Sequence, residues 1–265
     1  MLEEYTADEM MTIAAARKLH NGAVCFVGIG LPSAAANLAR LSHAPDIVLI
    51  YESGPIGAKP SVLPLSIGDG ELSETADAVV SIPEMFSYWL QGARIDVGFL
   101  GAAQIDRFAN INSTVIGDYD RPATRLPGAG GAPEIATFSK EVLITLRHGK
   151  RSFVEKLDFT TSGGHFHGGD SRQRMGLPGK GPTAVITDLG ILTPDPETKE
   201  LTLTSVHPGV SIQQAVDATG WPLKVAPEIE ITARPTATEL GVLRNLHAGS
   251  ARSQTTTIQP SPKYS

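Results

Sequence analysis

Runs of apolar residues alternate along this chain with stretches whose apolar positions recur at helical spacing. Residues 46–51 contain Ile-Val-Leu-Ile without interruption, which is typical of a strand buried on both faces of a parallel sheet. The pattern predicts further strands at residues 23–27, 78–82, 95–100, 142–146, 184–187 and 201–205. Strands that alternate with helices predict a layered α/β domain.

Helical patterns lie between these strands. Thr6 and Glu9 have the Thr-x-x-Glu spacing of a capping box, and the first helix that they open stops at Asn21-Gly22. Further helices are predicted at residues 33–41, 83–91, 211–218 and 238–247. After Gly249 the composition falls to Ser, Thr, Gln and Pro, so we expect one domain over residues 1–249 and a mobile tail over residues 250–265.

Two long glycine-bearing stretches interrupt the alternation, at residues 118–131 and 161–181. Both are longer than simple connections between elements, so we expect binding loops.

Composition excludes several classes of function. The 22 Lys and Arg against 28 Asp and Glu give a net charge of −6, which argues against a nucleic-acid partner. No run approaches the roughly 18 apolar residues of a membrane span, and the first residues are acidic where a signal peptide is basic. We therefore expect a cytoplasmic protein with no membrane partner. Cys25 is the sole cysteine, which leaves no intrachain disulfide and no thiolate zinc cluster.

Glu52 is the first candidate for chemistry because it follows the most apolar strand. Ligands of open α/β sheets bind at the carboxyl ends of the strands. Ser53 and Gly54 carry little side chain, so a substrate can approach and backbone N–H groups can face it. A carboxylate in this setting can act as a nucleophile. The alternative is a loop glutamate that caps a helix or pairs with Lys59, and both interpretations stay open on position alone.

Two glycine-rich turns are candidates for main-chain binding. Gly28 and Gly30 resemble the start of the dinucleotide fingerprint, but Ser33 replaces its third glycine, which favours a tight strand-to-helix turn that lines a pocket with Glu52. Gly130 and Gly131 precede a short helix, where consecutive main-chain donors can bind an anion or a developing oxyanion. A flexible linkage is the alternative for this second turn.

Other polar residues give weaker signals. Gln104 follows the strand at residues 95–100, so its amide is expected to project into the same cleft. His165, His167 and Asp170 are close together, but no third ligand has a convincing spacing, and we expect no metal site.

In their order and separations, the motifs resemble the β subunit of family I CoA-transferases, and within that family the glutaconate CoA-transferase type. The resemblance runs from about residue 10 to about residue 249 and is carried by Gly28-Ile29-Gly30-Leu31-Pro32, Glu52-Ser53-Gly54, Gly101-Ala102-Ala103-Gln104-Ile105-Asp106 and Gly128-Ala129-Gly130-Gly131-Ala132. It implies a layered α/β/α fold with an open, mostly parallel sheet. It also implies that Glu52 is the nucleophile of a ping-pong cycle, that Gly130 and Gly131 stabilise the oxyanion, and that Gln104 orients the substrate.

The resemblance further implies a separate α subunit, in a heterodimer or an α2β2 tetramer, without which the chain is inactive. Succinyl-CoA is the implied donor and 3-oxoadipate the expected acceptor, in the degradation of aromatic compounds. The CoA thioesters are substrates, so we expect no resident cofactor. Glutaconate or another dicarboxylate is the alternative acceptor. Two functions of other classes stay open. The chain could be a non-catalytic CoA-binding partner chain, or an oxidoreductase that binds a dinucleotide at the Gly28 turn.

Overall fold

The structure, a computed structural model, describes residues 4–257. Its strands, in chain order, are β1 (Val24–Phe26), β2 (Val48–Ile50), β3 (Pro55–Ile56), β4 (Ala78–Val79), β5 (Val97–Gly101), β6 (Gln104–Ile105), β7 (Ile111–Asn112), β8 (Val115–Gly117), β9 (Pro122–Arg125), β10 (Glu141–Thr145), β11 (Pro182–Ile186), β12 (Gly190–Pro194), β13 (Leu201–Val206) and β14 (Lys224–Ile231). β6 pairs with β7 and β8 with β9 in two small sheets. The other strands form one large sheet.

The large sheet has the order β14-β13-β12-β11-β10-β5-β1-β2-β3-β4. Its centre is parallel, since β11, β10, β5, β1 and β2 all run in the same direction. β3 and β4 continue one side antiparallel, and β12 and β13 do so on the other, where β14 again runs parallel to its neighbour. The predicted sheet is therefore confirmed, with antiparallel strands added at both flanks.

The helices cover this sheet. They are α1 (Ala7–Ala16), α2 (Leu31–Arg40), α3 (Gly70–Glu74), α4 (Ile82–Glu84), α5 (Ala132–Phe138), α6 (Ser171–Arg174), α7 (Ile212–Asp217) and α8 (Ala237–Thr257), and a π-helical turn at Met85–Leu90 follows α4. The predicted capping box is present, because Thr6 Oγ1 accepts from the Glu9 N–H and Glu9 accepts from the Thr6 N–H. Within residues 4–257, no helix combines the length and the apolar character that a membrane span requires.

Successive residues of the central strands point into two different cores. On one face, Cys25 and Leu49 pack with apolar residues of α1, α2 and α8. On the other face, Phe26 and Ile50 pack with Met85 of the π-helical turn and with residues of α5 and α7. Because side chains alternate across a strand, this pattern gives the layered arrangement that the sequence predicts.

The predicted ends of several elements differ from the structure. The segment 78–82 contains only the two exposed residues of β4 at the sheet edge, followed by a turn into α4. The last helix continues beyond residue 247, and Ser250 is buried, with its Oγ accepting from the Leu63 N–H at 2.7 Å. Residues 250–257 of the predicted tail thus continue this helix, and the domain boundary at residue 249 stays a prediction. Residues 258–265 of the predicted tail lie outside the described residues, and the tail stays a prediction.

The loop at residues 161–181 contacts a neighbouring helix, and none of its residues lines the cavity that contains Glu52, so its expected binding role stays a prediction. Arg172 is 5% exposed and donates to the carbonyl oxygens of Gly164, Ala136 and Pro178 at 2.9, 3.2 and 3.1 Å. Ala136 lies in α5, so the buried guanidinium ties the loop to the helix that follows Gly130 and Gly131. Burial of the charged guanidinium lowers the pKa of Arg172, and the carbonyl acceptors replace part of the hydration that the charge loses.

We expect Arg172→Met to lower the free energy of unfolding by about 3 kcal/mol, because it leaves buried carbonyl groups without donors. Arg174→Ala is the matched control, since Arg174 is two-thirds exposed and pairs with Asp170 on the surface. A change within about 0.5 kcal/mol is expected for the control. Urea unfolding of both variants measures the difference, and equal midpoints would contradict an anchoring role for Arg172.

Candidate active site

Glu52 lies at the carboxyl end of β2, where a tight turn leaves the sheet. The Gly54 N–H donates to the Tyr51 carbonyl at 3.0 Å, and the Tyr51 N–H donates to the Pro55 carbonyl at 3.1 Å. Gly54 has a φ of 117°, and a Cβ at this position would collide with the Val80 carbonyl oxygen. Only glycine fits such a conformation and approach. Gly54 therefore shapes the turn that presents Glu52.

A buried polar network anchors the residue before the nucleophile candidate. Tyr51 is fully buried, and its hydroxyl lies 3.0 Å from Ser33 Oγ and accepts from Asn37 Nδ2 at 3.4 Å. Asn37 Oδ1 in turn accepts from Arg40 Nη2 at 3.0 Å. Burial raises the pKa of Tyr51, so the phenol stays neutral and holds the end of β2 against α2. Ser33, which replaces the third glycine of the dinucleotide fingerprint, belongs to this network.

The second glycine-rich turn brings Gly130 and Gly131 beside the Glu52 carboxylate. A Cβ at Gly130 would lie 4.0 Å from both carboxylate oxygens, and one at Gly131 would lie 3.3 Å from Oε1. Gly130 has a φ of 48°, and Gly131 forms the N-cap of α5. Within the described residues, the main-chain N–H groups of both glycines have no hydrogen-bond acceptor. The turn therefore offers free donors next to a carboxylate.

These groups share one cavity of about 390 Å³. Its walls are mostly apolar or main chain, and the lining residues are Met11, Gly28, Ile29, Leu31, Pro32, Glu52, Phe99, Leu100, Gly101, Ala129, Gly130, Gly131, Ala132, Ile135, Thr145 and Leu146. Among these lining residues, Glu52 alone carries an ionisable group. An apolar site with one carboxylate favours covalent chemistry at that carboxylate over the binding of a phosphate.

A larger groove of about 740 Å³ adjoins the cavity and shares Met11, Ile29 and Leu31 with it. Gly30 lines this groove and has a φ of 81° at the N-cap of α2. Gly28 lines the cavity itself, as the sequence predicts. Ser53 and Gly54 line neither space, so their proximity to Glu52 follows from the turn alone.

Gln104 does not project into the cavity, and the expected position was wrong. Its side chain is 5% exposed, donates from Nε2 to Asp158 at 2.8 Å and accepts from Asn112 Nδ2 at 2.7 Å. Both ends of the Gln104 amide are thus hydrogen-bonded, at the place where β6 and β7 pack beside the loop that contains Asp158. The residue lies a few positions after β5, but the chain has already turned away from the carboxyl edge of the sheet.

The histidine cluster has a structural explanation. His165 Nε2 lies 2.9 Å from the Pro182 carbonyl oxygen, and burial lowers the pKa of this histidine. Within the part of the chain that the structure describes, no group of three or more His, Cys, Asp or Glu side chains is placed to hold a metal ion. Cys25 is buried, and burial raises the pKa of its thiol, so it is unsuited to act as a nucleophile.

Sequence reasoning missed two residues near Glu52. Thr145 lines the cavity at the carboxyl end of β10, a position that the strand-end argument applied to Glu52 would have found. Phe86 packs against Gly131, since a Cβ on that glycine would lie 2.7 Å from Phe86 Cζ. No sequence signal marks Phe86, because it lies in a segment that the pattern predicts as an ordinary helix.

Comparison with known proteins decides the family. Residues 8–218 match the family described as coenzyme A transferase. The chain belongs to the coenzyme A transferase family. The predicted family is thus confirmed, and with it a transferase, whereas the interpretation of the Gly28 turn as part of a dinucleotide-dependent oxidoreductase is overturned.

Individual members of the family are similar over nearly the whole chain. The B subunit of 3-oxoadipate CoA-transferase from Pseudomonas knackmussii is 65% identical over 250 residues, which is 94% of this chain and 96% of the relative. The B subunit of glutaconate CoA-transferase from Acidaminococcus fermentans is 38% identical over 234 residues, 86% of this chain and 88% of the relative. Both names describe one subunit of an enzyme.

Solved structures agree with the fold. The crystal structure of glutaconate coenzyme A-transferase from Acidaminococcus fermentans superposes with a TM-score of 0.87 at 35% identity, over 97% of this chain and 99% of the matched chain. The decarboxylase AibA/AibB superposes with a TM-score of 0.78 at 24% identity, over 95% of this chain and 98% of the other, and shows the fold alone.

If the Gly131 N–H is an oxyanion donor, Gly131→Ala should lower CoA transfer about a hundredfold to a thousandfold, because displacing one such donor costs about 2.7 to 4 kcal/mol of transition-state stabilisation. The added methyl would lie 2.7 Å from Phe86 Cζ and 3.3 Å from Glu52 Oε1, so the turn must shift. Gly241→Ala in α8 is the matched control, since its Cβ meets open space. Steady-state transfer is measured beside the melting temperature, and a folded Gly131→Ala enzyme with wild-type turnover would remove this turn from the mechanism.

Proposed function

We propose that this chain is the β subunit of a two-subunit CoA-transferase that moves CoA from succinyl-CoA to 3-oxoadipate. The observation that carries this proposal is the placement of Glu52 beside Gly130 and Gly131 in an apolar cavity. A carboxylate next to free main-chain donors is suited to acyl transfer through a covalent intermediate. The 65% identity to the B subunit of a protein named 3-oxoadipate CoA-transferase supports the acceptor.

The first half of the cycle loads CoA on the enzyme. The Glu52 carboxylate attacks the thioester carbonyl of succinyl-CoA, the C–S bond breaks, and a mixed anhydride forms with release of the CoA thiolate. The thiolate then attacks the glutamyl carbonyl, which expels succinate and leaves a glutamyl-CoA thioester. Each attack places negative charge on a carbonyl oxygen, and the N–H groups of Gly130 and Gly131 are the donors for that charge.

The second half reverses these steps with the acceptor. A carboxylate of 3-oxoadipate attacks the glutamyl thioester and again gives an anhydride and free thiolate. The thiolate attacks the acyl carbonyl of the acceptor, which leaves as its CoA ester and restores the Glu52 carboxylate. The activation of the thioester is conserved only if water stays away from these intermediates, and the apolar walls of the cavity support this. We expect no resident cofactor, since both CoA thioesters are substrates.

A partner subunit follows from the composition of the cavity. CoA carries phosphate groups and the acceptor carries a second carboxylate, but the residues that line the cavity include no lysine, arginine or histidine. The adjoining groove adds His247 and Arg147, and Arg147 is paired with Asp8. Anionic groups of this kind are bound by cations or converging N–H donors. We therefore assign much of the CoA site to an α subunit, in a heterodimer or an α2β2 tetramer, and expect this chain to be inactive alone. A cytoplasmic location remains our expectation.

Glutaconate or another short dicarboxylate is the alternative acceptor, because the same Glu52 chemistry would serve it. The relative named for glutaconate is 38% identical, against 65% for the one named for 3-oxoadipate. A non-catalytic CoA-binding subunit is the alternative of another class, and retention of Glu52 at the cavity argues against it. Assay of the co-expressed subunits with a panel of dicarboxylates separates the acceptors.

We expect the assembled enzyme to gain a covalent CoA adduct on this chain when it is incubated with succinyl-CoA and no acceptor. The half-reaction then stops at the glutamyl-CoA thioester, which intact-mass analysis detects and peptide mapping places on Glu52. The Glu52→Gln enzyme, with no nucleophile, is the control and should remain unmodified. An adduct on Cys25, or none on either chain while turnover is observed, would refute the assignment.

Glu52→Gln and Glu52→Asp should both leave an assembled enzyme and abolish transfer, for different physical reasons. Glutamine has the shape of glutamate but is not nucleophilic. Aspartate keeps the charge but withdraws the oxygen by about one methylene, roughly 1.5 Å, and a misplacement near 1 Å costs about a hundredfold. Glutamine should therefore be the more damaging change.

Steady-state transfer and melting temperature, measured for both variants, test this expectation. If Glu52 only capped a loop or formed an ion pair, glutamine would keep much of the activity, and any loss would follow loss of thermal stability. A stable Glu52→Gln enzyme with more than about a tenth of the wild-type rate, roughly 1.4 kcal/mol in barrier, would mean that the nucleophile lies elsewhere.

A further inference from the structure

An uncommon helical geometry lies next to Glu52. Residues 85–90 form a π-helical turn, in which the Gln91 N–H donates to the Phe86 carbonyl at 2.9 Å, five residues back. The Arg94 N–H repeats this spacing with the Trp89 carbonyl at 3.0 Å. π-Helical turns are rare and occur frequently at functional sites. This one contains Phe86, which lies beside Gly131.

The ring of Phe86 packs against two neighbours. It packs edge to face on Phe26, with ring centroids 6.3 Å apart, and Phe26 is fully buried at the end of β1. On the other side, the Phe86 ring occupies the space that a side chain at position 131 would need. A Cβ on Gly131 would lie 2.7 Å from Phe86 Cζ and 2.8 Å from Phe86 Cε1. The ring therefore fixes how closely the Gly131 turn can approach.

The space that a Cβ on Gly131 would occupy is also close to the nucleophile candidate, Glu52. A Cβ there would lie 3.3 Å from Glu52 Oε1, so the ring edge, the glycine and the carboxylate converge on one point. Phe86 is half-buried, while its neighbours Ser87 and Tyr88 are exposed. It is absent from the residues that line the cavity, so it supports the Gly131 turn from outside the substrate space.

We propose that Phe86 is a positioning residue, which sets the spacing between the Gly131 N–H and the Glu52 carboxylate and shields the glutamyl intermediates from water. The inference rests on the proposed function, because only a covalent thioester or anhydride at Glu52 needs this protection. In the competing reaction, water attacks the glutamyl-CoA carbonyl, the C–S bond breaks, and CoA leaves as the thiol. The products are free CoA and the restored Glu52 carboxylate, so hydrolysis wastes succinyl-CoA without acceptor.

A rigid ring suits this role better than a flexible side chain. A phenyl group has two rotatable bonds, and here packing on Phe26 and Gly131 restricts both. A smaller apolar residue would leave space beside the carboxylate that water can enter from the exposed surface of the π-helical turn. It would also let the Gly131 turn move, and displacements near 1 Å are costly to catalysis.

The test compares Phe86→Leu with Tyr88→Leu in the enzyme assembled with its partner subunit. Tyr88 belongs to the same turn but is 53% exposed and packs on Trp89 and Arg94. Two rates are measured: transfer to the dicarboxylate, and release of free CoA from succinyl-CoA without acceptor. For Phe86→Leu we expect transfer to fall about tenfold or more and the ratio of hydrolysis to transfer to rise at least about tenfold. Tyr88→Leu should keep the wild-type ratio.

A double variant tests the steric contact itself. The Phe86 ring and the methyl group added by Gly131→Ala would compete for one space. If they do, the double variant Gly131→Ala with Phe86→Leu should lose activity by a smaller factor than the two single-variant factors multiplied together. Multiplicative losses would mean that the ring does not set the position of the Gly131 turn. Phe86→Met keeps much of the volume of the ring but not its rigidity, and it replaces Phe86→Leu in both experiments if the leucine variant does not assemble.

The outcomes separate the two proposals. If the wild-type enzyme transfers CoA and the Phe86 variant keeps the wild-type ratio of hydrolysis to transfer, the role of Phe86 is wrong, whatever its total activity. A uniform loss of both rates with a lowered melting temperature has the same meaning, because a merely structural role does not change the ratio. If the wild-type enzyme transfers CoA from succinyl-CoA to none of the dicarboxylates, the proposed function itself fails.

Discussion

The site depends on a steric constraint in two main-chain turns, the one that carries Glu52 and the one that faces its carboxylate, because each turn has a position with no room for a side chain. At Gly54 a Cβ would collide with the Val80 carbonyl, and at Gly131 it would meet the Phe86 ring at 2.7 Å. Glycine at position 54 shapes the turn that presents the carboxylate, and glycine at position 131 lets this carboxylate stand beside main-chain N–H groups that have no acceptor within residues 4–257. Because such donors are fixed by the backbone, they need no reorganisation when charge develops on a carbonyl oxygen. The sheet, the helices and the anchoring loops serve to hold these two turns at a constant distance.

Rigidity of the turns comes from polar groups that are buried and hydrogen-bonded. Tyr51 ties the end of β2 to Ser33 and Asn37 of α2, and Arg172 ties α5 to the loop that follows residue 161. Breaking such a network leaves buried donors or acceptors without partners, which costs more than an apolar contact of the same size. Small displacements of Glu52 or Gly131 are therefore opposed from both faces of the sheet.

The sequence predicts the parts of this arrangement that depend on local pattern. Apolar runs predict the central strands, the Thr6 and Glu9 spacing predicts the first cap, and the position of Glu52 after the most apolar strand predicts its place at the cavity. Tertiary contacts determine where the other side chains near the site lie, and the sequence pattern does not show these contacts. Gln104 follows a strand as Glu52 does, but its amide is consumed by Asp158 and Asn112. Phe86 reaches Gly131 through a π-helical turn, which hydrophobic periodicity does not distinguish from an α-helix.

The charge distribution supports our proposal that the chemistry is divided between two chains. A nucleophilic carboxylate needs apolar walls that keep water from its covalent intermediates, and the cavity around Glu52 has them. The same walls offer no cationic side chain to the phosphates of CoA or to the distal carboxylate of the acceptor. A cation close to Glu52 would also stabilise the free carboxylate more than the neutral anhydride and thioester that replace it, and so would oppose the first attack. In the mechanism that we propose, dividing the site between two subunits separates these requirements, with the covalent step in this chain and much of the recognition of anionic groups at the partner.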